Sequence, residues 1–113
     1  MPVTIYHNPK CSNSRRALEL INASGAVPRV INYQKTPLSR DEIKALIAKM
    51  GATVREVVRE KEPMFASLHL ENAGDDELLD AIAKHPILLN RPIVVSDKGV
   101  KLCRPPETVK SLL

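Results

Sequence analysis

The apolar rhythm of this chain changes several times along its length, and each change marks an element. Val3–Tyr6 is a short β-branched and aromatic run halted by Asn8-Pro9, which predicts a strand entering a turn. Cys11–Ser14 then offers small polar residues suited to a helix start. Ala17, Leu18 and Ile21 continue at helical spacing until Gly25 stops the helix. Arg29–Tyr33, carrying Val30, Ile31 and Tyr33, predicts a second strand. The stretch between the two strands is long enough for a crossover helix, so they are expected to run parallel.

The middle third follows a helical period. Ser39-Arg40-Asp41-Glu42 forms a capping box, and Ile43, Leu46, Ile47 and Met50 follow on one face before Gly51. Thr53–Glu56 repeats the capping pattern and predicts a shorter helix through about Arg59. Asp75–Lys84 predicts another, with Leu78, Leu79 and Ile82 on one face and His85-Pro86 at its end. Residues 60–74 carry no clear period. The last third returns to strands: Ile93–Val95, a turn over Ser96–Gly99, and Val100–Cys103, an antiparallel hairpin. Pro105-Pro106 then opens a terminal helix, since proline is tolerated in a first turn. The pattern as a whole predicts an α/β fold with a mixed sheet.

Composition narrows the functional classes. At 113 residues the chain is expected to form a single domain, 1–113, around one core. Phe65, Tyr6 and Tyr33 are its only aromatic residues, which leaves the core to Leu, Ile, Val and Ala and argues against a stacking platform for single-stranded nucleic acid. The net charge of +4 is spread among 13 acidic residues rather than blocked, so no nucleic-acid partner is expected. No apolar run approaches the roughly 20 residues of a membrane span, and the N-terminus lacks the organisation of a signal peptide. Two cysteines, Cys11 and Cys103, make no disulfide framework. The expectation is therefore a cytoplasmic protein with no membrane association, in a reducing compartment where a lone, well-placed cysteine is more often chemical than structural.

Cys11 is the leading chemical candidate. It stands after the first strand and just before a helix, where backbone N–H groups and the helix dipole favour a thiolate. Arg15 and Arg16 add positive potential in the next turn. The loop reads CSNS, so Ser14 occupies the place of a resolving cysteine in a C-x-x-C motif. Turnover through Cys11 then requires an external thiol, or Cys103. Ser14 is expected either to hydrogen-bond the thiolate or to cap the helix. His7 is expected to lower the thiol pKa as a nearby cation, or to relay a proton. His69 and His85 lack partners at metal-ligand spacing, and no metal is expected. Arg91 and Arg104 flank the predicted hairpin, whose outer ends lie side by side. With Arg59 they offer guanidinium groups for an oxyanion. Cys103 alternates within its strand and reads foremost as a packed residue.

These strings together, IYHNPKCSNSR, VREVVR, HPILLNRPIVV and LCRPPE, closely resemble the glutaredoxin-coupled arsenate reductases, the ArsC family of thioredoxin-like proteins. The resemblance covers nearly the whole chain. It implies a thioredoxin-like fold, a four-stranded mixed sheet flanked by helices with a helical insertion in the middle. It implies that Cys11 attacks arsenate to form a thioarsenate ester, with His7 tuning its pKa and Arg59, Arg91 and Arg104 binding the oxyanion. It further implies glutathione as co-substrate, glutaredoxin as partner, no bound cofactor, a monomer, and a cis Arg91–Pro92 peptide. The family's well-known members carry a longer C-terminal tail than this chain, which ends at Leu113. Two rival readings accompany the resemblance: a glutathione-dependent thiol oxidoreductase that does not use arsenate, and a regulator of the Spx type that binds RNA polymerase. The second relies on a C-x-x-C switch that Ser14 removes.

Overall fold

The computed structural model describes residues 2–113. They form two compact units: a sheet unit built from the chain up to Thr36 and from Arg91 onward, and a helical unit spanning Pro37–Asn90.

In the sheet unit, strands β1 (Thr4–His7), β2 (Arg29–Asn32), β3 (Ile93–Ser96) and β4 (Gly99–Leu102) form one mixed sheet in the order β2-β1-β3-β4. β1 and β2 are parallel, and β3 runs antiparallel to both β1 and β4. Helix α1 (Ser12–Ala23) supplies the connection that parallel strands require. Period-two alternation buries Val3 and Ile5 on one face of the sheet, and the same alternation carries His7 inward at the strand's end. On α1 the buried positions are Ser14, Ala17 and Ile21, so a polar residue holds the first inward slot of an otherwise apolar stripe. Val3, Ile5, Ala17, Ile21, Val94, Cys103, Val109 and Leu112 close the core.

The expected terminal helix is present as a 3-10 helix, Pro106–Leu112. Its buried residues, Pro106, Val109 and Leu112, recur every three positions. A 3-10 helix stacks residues i and i+3, and the apolar spacing selects it over the 3.6 period.

The helical unit is organised by α2 (Arg40–Met50) and α4 (Asp75–Lys84), which pack together, with Ile43, Leu46 and Ile47 buried on the first and Leu78, Leu79 and Ile82 on the second. The capping box is present as read: Ser39 Oγ accepts from the Glu42 amide at 3.1 Å, and the Glu42 carboxylate accepts from the Ser39 amide at 3.0 Å. Gly51 ends α2 with φ +67, a left-handed value that glycine adopts without penalty.

Two expectations in this unit need correction. The short helix expected through Arg59 is a single 3-10 turn, Arg55–Val57. Thr53 Oγ1 still accepts from the Glu56 amide at 3.3 Å, but Val58 is extended and bridges to Leu89. Backbone bonds from Arg59 N–H to Leu88 O (2.8 Å) and from Asn90 N–H to Val57 O (2.7 Å) replace helical ones. The β-branched pair Val57-Val58, both buried, favours that extended exit. In the stretch without a period lies α3 (Pro63–Ser67), opened by Pro63 and burying Phe65. Five residues are too few to display a helical repeat.

Candidate active site

The loop between β1 and α1 is fixed by its own polar groups. Asn8 O accepts from the Cys11 amide at 3.0 Å, and Asn8 Oδ1 accepts from the Lys10 amide at 3.0 Å. Arg15 Nη1 donates to Pro9 O at 2.9 Å. These bonds leave Cys11 at the N-cap of α1 with extended dihedrals, φ −97 and ψ 123. At that position an oxygen side chain ordinarily accepts from the first-turn amides. Here a sulfur stands in its place. Burial pushes the Cys11 thiol up and is the largest single influence. The Ser14 amide, the Arg91 charge, the Asn13 amide and a hydrogen bond from Arg91 together outweigh it, and the thiol is held below its ordinary value.

Two arginines reach this sulfur from the hairpin. Arg91 immediately precedes Pro92 and β3, Arg104 follows β4 by two residues, and the pairing of Ile93 with Leu102 sets their backbones side by side. Arg104 Nη1 donates to Arg91 O at 2.9 Å and lies 4.0 Å from Cys11 Sγ. The structure therefore brings Cys11, Arg91 and Arg104 together from residues separated by up to 93 positions. Both Arg91–Pro92 and Arg104–Pro105 are cis peptides.

His7 lies in the same unit, and its charge differs from the expectation. Burial first, and the Arg15 charge second, hold the imidazole below its ordinary value. The ring is therefore predominantly neutral at neutral pH, and the side-chain charge that lowers the Cys11 thiol is that of Arg91 rather than His7. Ser14 explains how the ring is kept. Ser14 Oγ lies 2.6 Å from His7 Nδ1 and accepts from the Asn8 amide at 3.0 Å. With Nδ1 bare, the hydroxyl donates to the ring while accepting from the backbone. The Ser14 hydroxyl thus serves His7 and the loop. Its backbone amide serves the sulfur. Ser14→Ala removes both hydroxyl bonds at a fully buried position and is expected to destabilise the protein by about 1–3 kcal/mol, the cost of orphaning a buried donor and acceptor. Urea denaturation monitored by circular dichroism measures it.

Arg59 belongs to the helical unit. There its Nη2 lies 3.5 Å from the Glu62 carboxylate and its Nη1 donates to Ile87 O at 3.3 Å. Cys103 is fully buried in the core of the sheet unit, its amide donating to Pro92 O at 2.9 Å. Burial pushes its thiol up to about 12, against a smaller opposing effect of Lys101. Two residues at the site were missed by sequence reasoning: Asn8, whose side chain folds the loop, and Asn13, which faces Arg104. An Asx-turn at Asn8-Pro9 was a readable signal for the first. None existed for the second.

A four-stranded mixed sheet with helices about it, and a lone cysteine at the head of the first helix, define a thioredoxin-like fold of the single-cysteine kind. The fold is shared with an arsenate reductase from Vibrio cholerae, which is 44% identical and superposes with a TM-score of 0.95 over 100% of this chain and 98% of that one. Residues 6–112 match the ArsC family, and the chain belongs to it. Among curated relatives, arsenate reductase from Rhizobium meliloti (strain 1021) is 51% identical across 100% of this chain and 82% of its own length. One from Escherichia coli is 50% identical across 98% of this chain and 80% of its own.

Proposed function

We propose that the protein reduces arsenate to arsenite with Cys11 as nucleophile and with glutathione and glutaredoxin as the source of electrons. The observation that carries this reading is the placing of two guanidinium groups against a thiol held below its ordinary pKa. A thiolate needs an electrophile, and paired arginines need an anion. Arsenate is both. The arsenate reductases to which the chain is about half identical point to the same substrate.

In the proposed reaction the Cys11 thiolate attacks arsenic(V), a hydroxyl leaves with a proton as water, and a thioarsenate ester forms. Arg91 and Arg104 take the charge on the arsenate oxygens through charge-assisted hydrogen bonds. His7, neutral and tethered by Ser14, serves as the proton relay. Arg59 enters through its match to the VREVVR motif alone. Since Ser14 replaces the resolving cysteine, electrons come from outside the chain. One glutathione attacks the adduct and a second thiol, delivered through glutaredoxin, completes the reduction. Two thiols become one disulfide as arsenic(V) becomes arsenic(III), and water hydrolyses the Cys11–arsenic bond, which releases arsenite and restores the Cys11 thiolate. Nucleophile and both arginines belong to one chain, which suits a monomer. A reaction that draws electrons from glutathione suits the reducing cytoplasm. Among the described residues no helix is long and apolar enough to cross a membrane.

Phosphate carries the same charge and shape, so the arginines do not tell the two anions apart. Discrimination falls to the sulfur, which bonds arsenic readily and phosphorus poorly. The test is NADPH consumption coupled through glutathione reductase, glutathione and glutaredoxin. A saturable rate that depends on arsenate, and not on phosphate, is expected. Turnover of small mixed disulfides with no response to arsenate overturns the reading in favour of a thiol oxidoreductase.

A further inference from the structure

Arg104 is an exposed side chain, yet its guanidinium is already held on one edge. Besides the bond from Nη1 to Arg91 O at 2.9 Å, both Nη1 and Nη2 lie 3.2 Å from the end of the Asn13 side chain. Only the orientation that turns the carboxamide oxygen toward them satisfies the pair, since the other opposes N–H to N–H. Asn13 Oδ1 thus accepts from both terminal nitrogens. These bonds occupy the Nη1/Nη2 edge. Nε–H and the second Nη2 hydrogen lie outside them, and together they form the other two-donor edge of the group. Such an edge matches two oxygens of a tetrahedral anion.

We infer that Asn13 is a positioning residue that pre-orients Arg104, holding its guanidinium beside the Cys11 sulfur, Nη1 4.0 Å from Sγ, with two donors left for the oxyanion before substrate arrives. The inference rests on the reading of Cys11 and Arg104 as the oxyanion site. Its physical basis is entropic. A long exposed arginine samples many rotamers, and a ligand must pay for choosing one unless the protein has already done so. The neutrality of asparagine matters as well. A carboxylate here would hold Arg104 equally well but would cancel the charge the anion needs. The backbone amide of Asn13 is a separate device that acts on the Cys11 sulfur, and it survives side-chain replacement.

The test is a double-mutant cycle of Asn13→Ala, Arg104→Ala and the pair, read in two ways. One is KM and kcat for arsenate in the coupled assay. The other, independent of turnover, is protection of Cys11 from iodoacetamide by arsenate without reductant. Asn13→Ala is expected to raise KM and the protecting concentration about tenfold, the scale of one ordered side chain, with a smaller change in kcat. In the Arg104→Ala background it is expected to have almost no further effect. The pH profile of Cys11 alkylation is expected to stay as in the wild type. An unchanged KM in Asn13→Ala, the same tenfold loss in both backgrounds, or a displaced alkylation profile would each overturn the inference while leaving the oxyanion site standing. If Arg104→Ala itself binds arsenate as the wild type does, the site reading fails and the inference with it.

Discussion

Cys11→Ser is expected to lose at least about 10³-fold in arsenate-dependent turnover while keeping the fold. Two features of the site lead to that figure. The helix start and Arg91 bring a thiol below its ordinary pKa, but the same groups cannot ionise a hydroxyl, whose pKa lies many units higher. The attacking group would then be neutral and far less nucleophilic. Serine also closes the redox route. An oxygen–arsenic ester can only hydrolyse back to arsenate, whereas the sulfur adduct can accept attack by a second thiol. The arginines stay in place, so arsenate binding should persist within a few-fold. The signature is thus a collapse of kcat with binding retained, the pattern of a lost chemical group rather than a lost pocket. Stopped assays for arsenite, together with isothermal titration with arsenate, distinguish the two quantities. A variant retaining a tenth of wild-type kcat would remove Cys11 from the chemistry.

How much of this was legible in the sequence depends on the range of each signal. The strand alternation around Ile5, the capping box at Ser39 and the break at Gly51 act over a few residues, and each forms as read. Arg91 and Arg104 could be paired in advance because a hairpin is a local device with a known geometry. What was not legible depended on packing. The terminal segment follows a period of three because Pro106, Val109 and Leu112 are the residues that meet the core. The turn at Arg55–Val57 yields to the bridge between Val58 and Leu89, which lie 31 positions apart by their numbering. The state of His7 illustrates the same limit within the site. A histidine next to a cysteine suggests a cation, but burial and Arg15 decide otherwise. Ser14 was recognised as important for what it is not, a cysteine. Its hydroxyl proves to serve the histidine rather than the thiolate.

The second large effect separates the two cysteines. At pH 7 to 8 iodoacetamide is expected to label Cys11 and leave Cys103 unmodified until the protein unfolds. Burial takes the Cys103 thiol from 9.0 up to about 12, and three pKa units amount to about a 10³-fold smaller thiolate fraction than an ordinary cysteine has near neutrality. Cys11 is shifted the other way, so the true ratio of rates exceeds that figure, and the absence of exposed surface on Cys103 widens it further. Proton linkage gives an independent check. A folded-state pKa above the unfolded one stabilises the fold fully below pH 9, and the contribution fades as the pH climbs from 9 toward 12, because the unfolded chain releases the proton first. Cys103→Ala should therefore flatten the alkaline loss of stability over that interval, while Cys11→Ser should not. Mass spectrometry of labelled peptides tests the reactivity, and denaturation at several pH values tests the linkage. Labelling of Cys103 within tenfold of the Cys11 rate, or a Cys11–Cys103 disulfide formed by mild oxidant in the folded protein, would show an internal resolving thiol. Without one, Ser14 in the place of the second cysteine leaves the proposed reaction to a partner thiol from solution, the part proposed here for glutathione.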